Sequence, residues 1–153
     1  MFGRQLKRSL LILIVAALSF FPEISRAESP FDILVITNKN VDSKNTIDLS
    51  MLKAIFIKDV WFWGVGGKVN ALNAPSGSAL RESFRKRVLQ WTRAEETEYW
   101  QDQQVSRGVV RPPEFRQTLR AVFAIKGSIG YVFRKDFHEN VARVVLVIPA
   151  TKP

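Results

Sequence analysis

The chain has no cysteine in its 153 residues. That excludes disulfides and thiolate metal sites, so the apolar core alone must hold the fold. Histidine is almost as scarce, His138 being the only one. A Ser-His-Asp set would have to use it, and no Gly-x-Ser-x-Gly elbow supplies the serine. His138 sits in the charged stretch 134–139 and reads as a surface residue. There is no His/Cys cluster at metal-ligand spacing and no Walker loop. The carboxylates are scattered or stand near helix starts, with no pair suited to acid–base work. These absences point away from an enzyme, a metal or a cofactor. Internal repeats and low-complexity segments are absent as well.

Long hydrophobic runs are also missing. The apolar run 10–21, interrupted by Ser19, is about half of the ~20 residues a spanning helix needs. Arg4, Lys7 and Arg8 precede it, Pro22 ends it, and Ser25, Arg26 and Ala27 supply a cleavage site. This three-part pattern is that of a secretory signal peptide over residues 1–27, leaving one domain at 28–153. An uncleaved anchor is the alternative. The leader holds four basic residues and one acid, so the net charge of +9 falls to +6 without it. A basic exported domain attracts anions, anionic lipid or acidic polymers, and nucleic acid is not an expected partner.

What is present reads as alternating strands and helices. Residues 31–38 are nearly all apolar, as in a strand covered on both faces. Asp48 caps a short helix over 49–57 with Leu52, Ile55 and Phe56 on its apolar side. Residues 68–72 form a second strand, followed by a helix over 79–90. That helix carries Leu80, Phe84, Val88 and Leu89 on one side and Arg81, Arg85, Lys86 and Arg87 on the other. The basic side is either solvated or a surface for anions and lipid head groups. Thr92 and Glu95 make a capping box for a helix reaching about Val105. Pro113 sits in the first turn of another helix, which runs to Lys126 with Gly127 as its stop. Strands over 129–133 and 141–148 complete a mixed sheet with helices on both faces.

Two stretches carry candidate chemistry. The turn around Pro75, Ser76, Gly77 and Ser78 opens the helix that contains Arg81. Unpaired N–H groups and the helix dipole favour a small anion there, and Arg81 adds a forked donor. The same hydroxyls also serve as plain helix caps. The second stretch is Trp61-Phe62-Trp63 among glycines 64, 66 and 67. Its aromatics either pack the loop down or form a platform for a partner, with Trp61 and Trp63 as anchors.

Taken in order, Ile55-Phe56, Trp63, Ser76-Gly77-Ser78, Arg81, Phe84, Gly127 and Ile129-Gly130-Tyr131-Val132 resemble a known pattern. It is that of the phosphate-type periplasmic substrate-binding proteins of ABC transporters. The family's loop glycine after Ile-Phe is replaced here by Lys58-Asp59. The resemblance covers about 100 residues and one lobe of a two-lobed clamp. It implies a single-lobe, type II periplasmic-binding-protein-like α/β fold in the periplasm. It also implies that Ser76, Gly77, Ser78 and Arg81 face a phosphate-like oxyanion, for ABC-type uptake or sensing. The alternative is an accessory module that keeps the fold and holds a membrane transporter or another envelope protein.

Overall fold

A computed structural model describes residues 27–150. Apart from Ala27, the expected leader lies outside the described residues. Among these, no helix is long and apolar enough to cross a membrane.

Strand β1, Ile33–Thr37, is buried at all five positions. It is that apolar because it lies inside the sheet with a layer on each face. Its neighbours are β3, Ser128–Phe133, and β4, Arg143–Ile148, both antiparallel to it. The two-residue β2, Asn70–Ala71, runs parallel to β3 and completes the order β2-β3-β1-β4. The sheet is therefore mixed, as expected.

Period-2 alternation divides the buried residues between two cores. Ile33, Val35, Ile129, Tyr131 and Phe133 point to one face. There they meet α1, Leu49–Phe56, and α2, Ala79–Phe84, with the π turn Arg85–Leu89 that continues it. Asp48 caps α1 by accepting from Met51 N, and Leu52, Ile55 and Phe56 are its buried residues. Phe84 stacks on Tyr131 with centroids 3.8 Å apart, and Phe56 closes the triangle. Leu34, Ile36 and Val132 point to the other face and meet α4, Thr118–Ala124, through Val122. Helices thus cover both faces.

The remaining helix, α3, spans Arg93–Arg107 between the Thr92/Glu95 capping box and the left-handed Gly108. It turns Glu96 and Trp100 inward. Tyr99 reaches across to donate to the Ile57 carbonyl at 2.9 Å.

Three expectations are corrected. The helix expected over 79–90 changes to a π turn after Phe84 and ends at Gln90, where φ is +59°. The helix expected from Pro113 starts only at Thr118. Pro113 O accepts from Asn73 N and Phe115 N donates to Asn73 O, both at 2.8 Å, and this bridge holds the segment extended. The expected basic helix side is not a uniform surface, since Arg81 and Arg85 are buried.

Gly127 is required on two counts. Its φ is +71°, and a Cβ there would lie 2.5 Å from the Lys68 carbonyl oxygen.

Candidate functional site

The residues singled out in the turn are built around Asn73, which is fully enclosed. Its Oδ1 accepts from the Arg81 guanidinium and from the Tyr131 hydroxyl, and its Nδ2 donates to Pro112 O. Tyr131 OH also accepts from Ala74 N at 3.2 Å. Burial pushes the Tyr131 phenol up, with Arg81 working against it, so the group stays neutral and acts as a fixed donor and acceptor. The start of α2 is therefore tied to the middle of β3.

Ser78 is the N-cap of α2. Its Oγ accepts from Arg81 N at 3.2 Å and donates to Pro75 O at 2.8 Å. Ser76 instead donates through both N and Oγ to the Glu114 carboxylate. Gly77 supplies the positive φ of +83° between them. The turn parts two hollows. Ser76, Gly77 and Arg81 line one, and Ser78 with Pro75 lines the other.

The first hollow is a cleft of about 430 Å³ between α2, its π turn and α3. Arg81, Arg85, Arg93 and Arg111 line it, together with Glu96 and Trp100. Arg81 is only 3% exposed and donates to Asn73, to Tyr131 OH at 3.2 Å and to Glu96. Arg85, equally enclosed, pairs with Glu82 and with Glu96 at 3.4 Å. Arg93 pairs with Glu82, and Arg111 stands 3.8 Å from Glu114. Four cations thus face three carboxylates, which leaves one positive charge in excess. The candidate Arg81 is enclosed and already charge-paired, so any anion in this cleft shares the arginines with Glu96.

Two donors on residues that line the cleft are left over. Arg85 Nε and Trp100 Nε1 are buried and have no hydrogen-bond partner. Both residues line the cleft. Buried N–H groups are almost always paired, and leaving one unmade costs about 1–3 kcal/mol. A ligand atom that accepts hydrogen bonds is the natural partner. Sequence reasoning missed Glu96 and Trp100. Their i,i+4 spacing, which puts both on one side of α3, was the available signal.

Two carboxylates near the cleft, Glu82 and Glu114, are held ionised. Hydrogen bonds from Arg85 and Arg93 lower the Glu82 pKa from an ordinary 4.5 to about 2. Hydrogen bonding from Ser76 lowers that of Glu114. A depressed carboxylate stabilises the fold fully above its unfolded pKa and loses that contribution as pH falls toward the folded value. The urea midpoint is therefore expected to fall between about pH 4.5 and pH 2. Glu82→Gln should flatten this part of the profile, and an unchanged profile would remove Glu82 from the cause.

The aromatic stretch forms a hairpin, with Trp63 N donating to Gly67 O and Val69 N to Trp61 O. Trp63 is turned into the core and donates Nε1 to Gly127 O at 3.1 Å. Trp61, Phe62 and Val65 are exposed, and Lys58 Nζ stands 5.2 Å from the centre of the Trp61 ring. The expected pair of anchors is thus split, because the loop needs one tryptophan to hold it down. His138 is exposed. No group of His, Cys, Asp and Glu able to hold a metal occurs among the described residues.

No family model matches the sequence, and no curated protein matches it. A solved structure similar to this chain is the crystal structure of PstS from Borrelia burgdorferi. The two share 21% identity with a TM-score of 0.48. The match covers 65% of this chain, which spans only 39% of the length of that one.

Proposed function

We propose that the chain is a single substrate-binding-type lobe, exported to the periplasm, that binds a small phosphate-like oxyanion in the arginine cleft. Binding, and not catalysis, is its task, in ABC-type uptake or in sensing. The observation that carries this reading is the pair of buried, unpartnered donors, Arg85 Nε and Trp100 Nε1, in a cleft with one excess positive charge. A tetrahedral oxyanion has enough acceptors to take both, while Ser76 stays committed to the Glu114 carboxylate. The six-residue α2 contributes little by its dipole, since Ser78 already caps it. The affinity rests on the arginines and the two free donors. A single lobe leaves the ligand open to water on one side, where charge-assisted bonds are weaker, so a transporter or another envelope protein would cover it.

Calorimetric titration with phosphate and sulfate tests this. The expected result is saturable binding to one site that survives moderate salt. Trp100→Phe removes one N–H and keeps the ring, so it is expected to weaken phosphate binding about tenfold. Equal affinity in wild type and Trp100→Phe would remove the cleft as the site.

A second reading draws on the hairpin tip, where Phe62 is 67% exposed beside Trp61 and Val65. Here the lobe is an interaction module that holds an envelope protein and no solute. A silent titration with both anions leaves this reading in place of the first.

A further inference from the structure

The second hollow differs from the cleft in chemistry. It is a groove of about 640 Å³ between the turn at Pro75 and Ser78, the first turn of α4 and the loop after β3. Its walls are mainly apolar, with Leu80, Leu119, Val132 and Val141 among them, and Phe123 stands at its mouth 58% exposed. The volume lies in the range of small-molecule sites, which are typically apolar with a few placed polar groups. The groove also opens at the carboxyl ends of the parallel strands β2 and β3, where open α/β sheets usually receive ligands.

Its rim carries the placed groups. Arg116 and Arg120 line the groove four residues apart, against one lining carboxylate, Asp136. Most arginines of the described chain are engaged. Six stand in ion pairs, at positions 81, 85, 93, 107, 111 and 134. Arg87 and Arg143 donate to backbone carbonyls. The side chains of Arg116 and Arg120 have no ion pair or hydrogen bond within the described chain. Two unengaged guanidinium groups at the edge of an apolar groove match one kind of molecule. An apolar body fills the groove, and an anionic head sits between the two forks.

We propose that this groove binds an amphipathic anion, a single alkyl chain ending in a carboxylate or a phosphate. The site is separate from the arginine cleft and does not depend on what the cleft binds. Decanoate and decyl phosphate, each below its micelle concentration, distinguish the two head groups, and decanol supplies the chain without charge. Titration of the purified protein is expected to show saturable binding of at least one of the two anions, with decanol at least tenfold weaker. Arg116→Gln with Arg120→Gln should weaken binding about tenfold, and so should Phe123→Ser at the mouth. All three positions are exposed, so the fold should survive, with unchanged circular dichroism as the check. Trp100→Phe, in the other cleft, should leave the binding of both amphiphiles and any competition by inorganic phosphate unchanged. The proposal is overturned by no saturable binding of either amphiphile, by decanol binding as well as the anions, or by unchanged affinity in the double variant. Competition by phosphate that Trp100→Phe abolishes would also overturn it, since it would move the head group into the cleft.

Discussion

Replacing Glu96 by glutamine is expected to cost about 3–5 kcal/mol and to create a protein whose stability depends on phosphate. The Glu96 carboxylate is enclosed and receives both Arg81 and Arg85. Glutamine keeps the shape, but its oxygen carries no charge and its amide nitrogen would face a guanidinium. Removing one member of a buried ion pair leaves the other charge desolvated, and here two cations share the loss. Asn73, Tyr131 and Glu82 still hold the arginines in place, which sets the cost toward the lower end. An oxyanion bound in the cleft would replace the missing charge. At a concentration 100 times its dissociation constant, a ligand adds about 2.7 kcal/mol. The measurement is thermal unfolding of wild type and Glu96→Gln in chloride and in phosphate at matched ionic strength. In chloride the variant should melt roughly 10 °C or more below wild type. Phosphate raises the stability of most proteins by being excluded from their surfaces, so the informative quantity is the difference between the two proteins. A larger rise for the variant supports an anion among the arginines. Equal rises would show that phosphate does not take the place of the missing Glu96 charge.

The second large effect is expected at Gly130. This residue lies in fully buried β3 opposite Ile36, on the face that α4 covers. An added Cβ would stand 2.7 Å from Thr118 Cγ2 and 2.9 Å from Val122 Cγ2. Both are methyls on β-branched side chains, which have little rotamer freedom in a helix. Gly130→Ala must therefore push α4 off the sheet, at a cost of about 1–3 kcal/mol. Adding Thr118→Ser removes one of the two methyls and keeps a hydroxyl for the bond to Phe115 O. The double variant is expected to regain about half of the loss, because the two sites are in direct contact and do not add independently. Urea unfolding of the four proteins measures this coupling. Additive losses would show that α4 moves as a body and that Thr118 is not the point of contact.

The sequence made local features legible and hid the ones that join distant segments. The Asp48 cap, the Thr92/Glu95 capping box and the apolar run of β1 are signals within a few residues, and each lies where it was expected. The reading of Pro113 as a helix start failed because its competitor is Asn73, far away in the chain, whose backbone pairs with it. The arginine face of α2 failed for the same reason. Arg81 and Arg85 have the spacing of an exposed basic stripe, and only the docking of α3 brings Glu96 to them. Ser78 and Arg81 were legible as capping and forked-donor residues. What they would not reveal alone is that the turn separates two hollows of different chemistry. The unpartnered Arg85 Nε and Trp100 Nε1 leave no trace in sequence, since an unmade hydrogen bond is visible only after the rest of the site is built.

The place of β1 in the sheet sets the order in which this protein can fold. Ile33 pairs with Phe133 on one side and with Ile148 on the other. The central strand is thus made first, and both of its neighbours are made after most of the chain has been synthesised. Closing such long loops costs entropy before any pairing offsets it, which slows folding relative to helical domains of similar length. Until then Ile-Leu-Val-Ile-Thr is an unpaired, β-prone segment without a charge, the kind that self-associates. A nascent chain stopped before residue 143 would still lack one neighbour of its central strand, and so would need a holding chaperone more than the finished protein does.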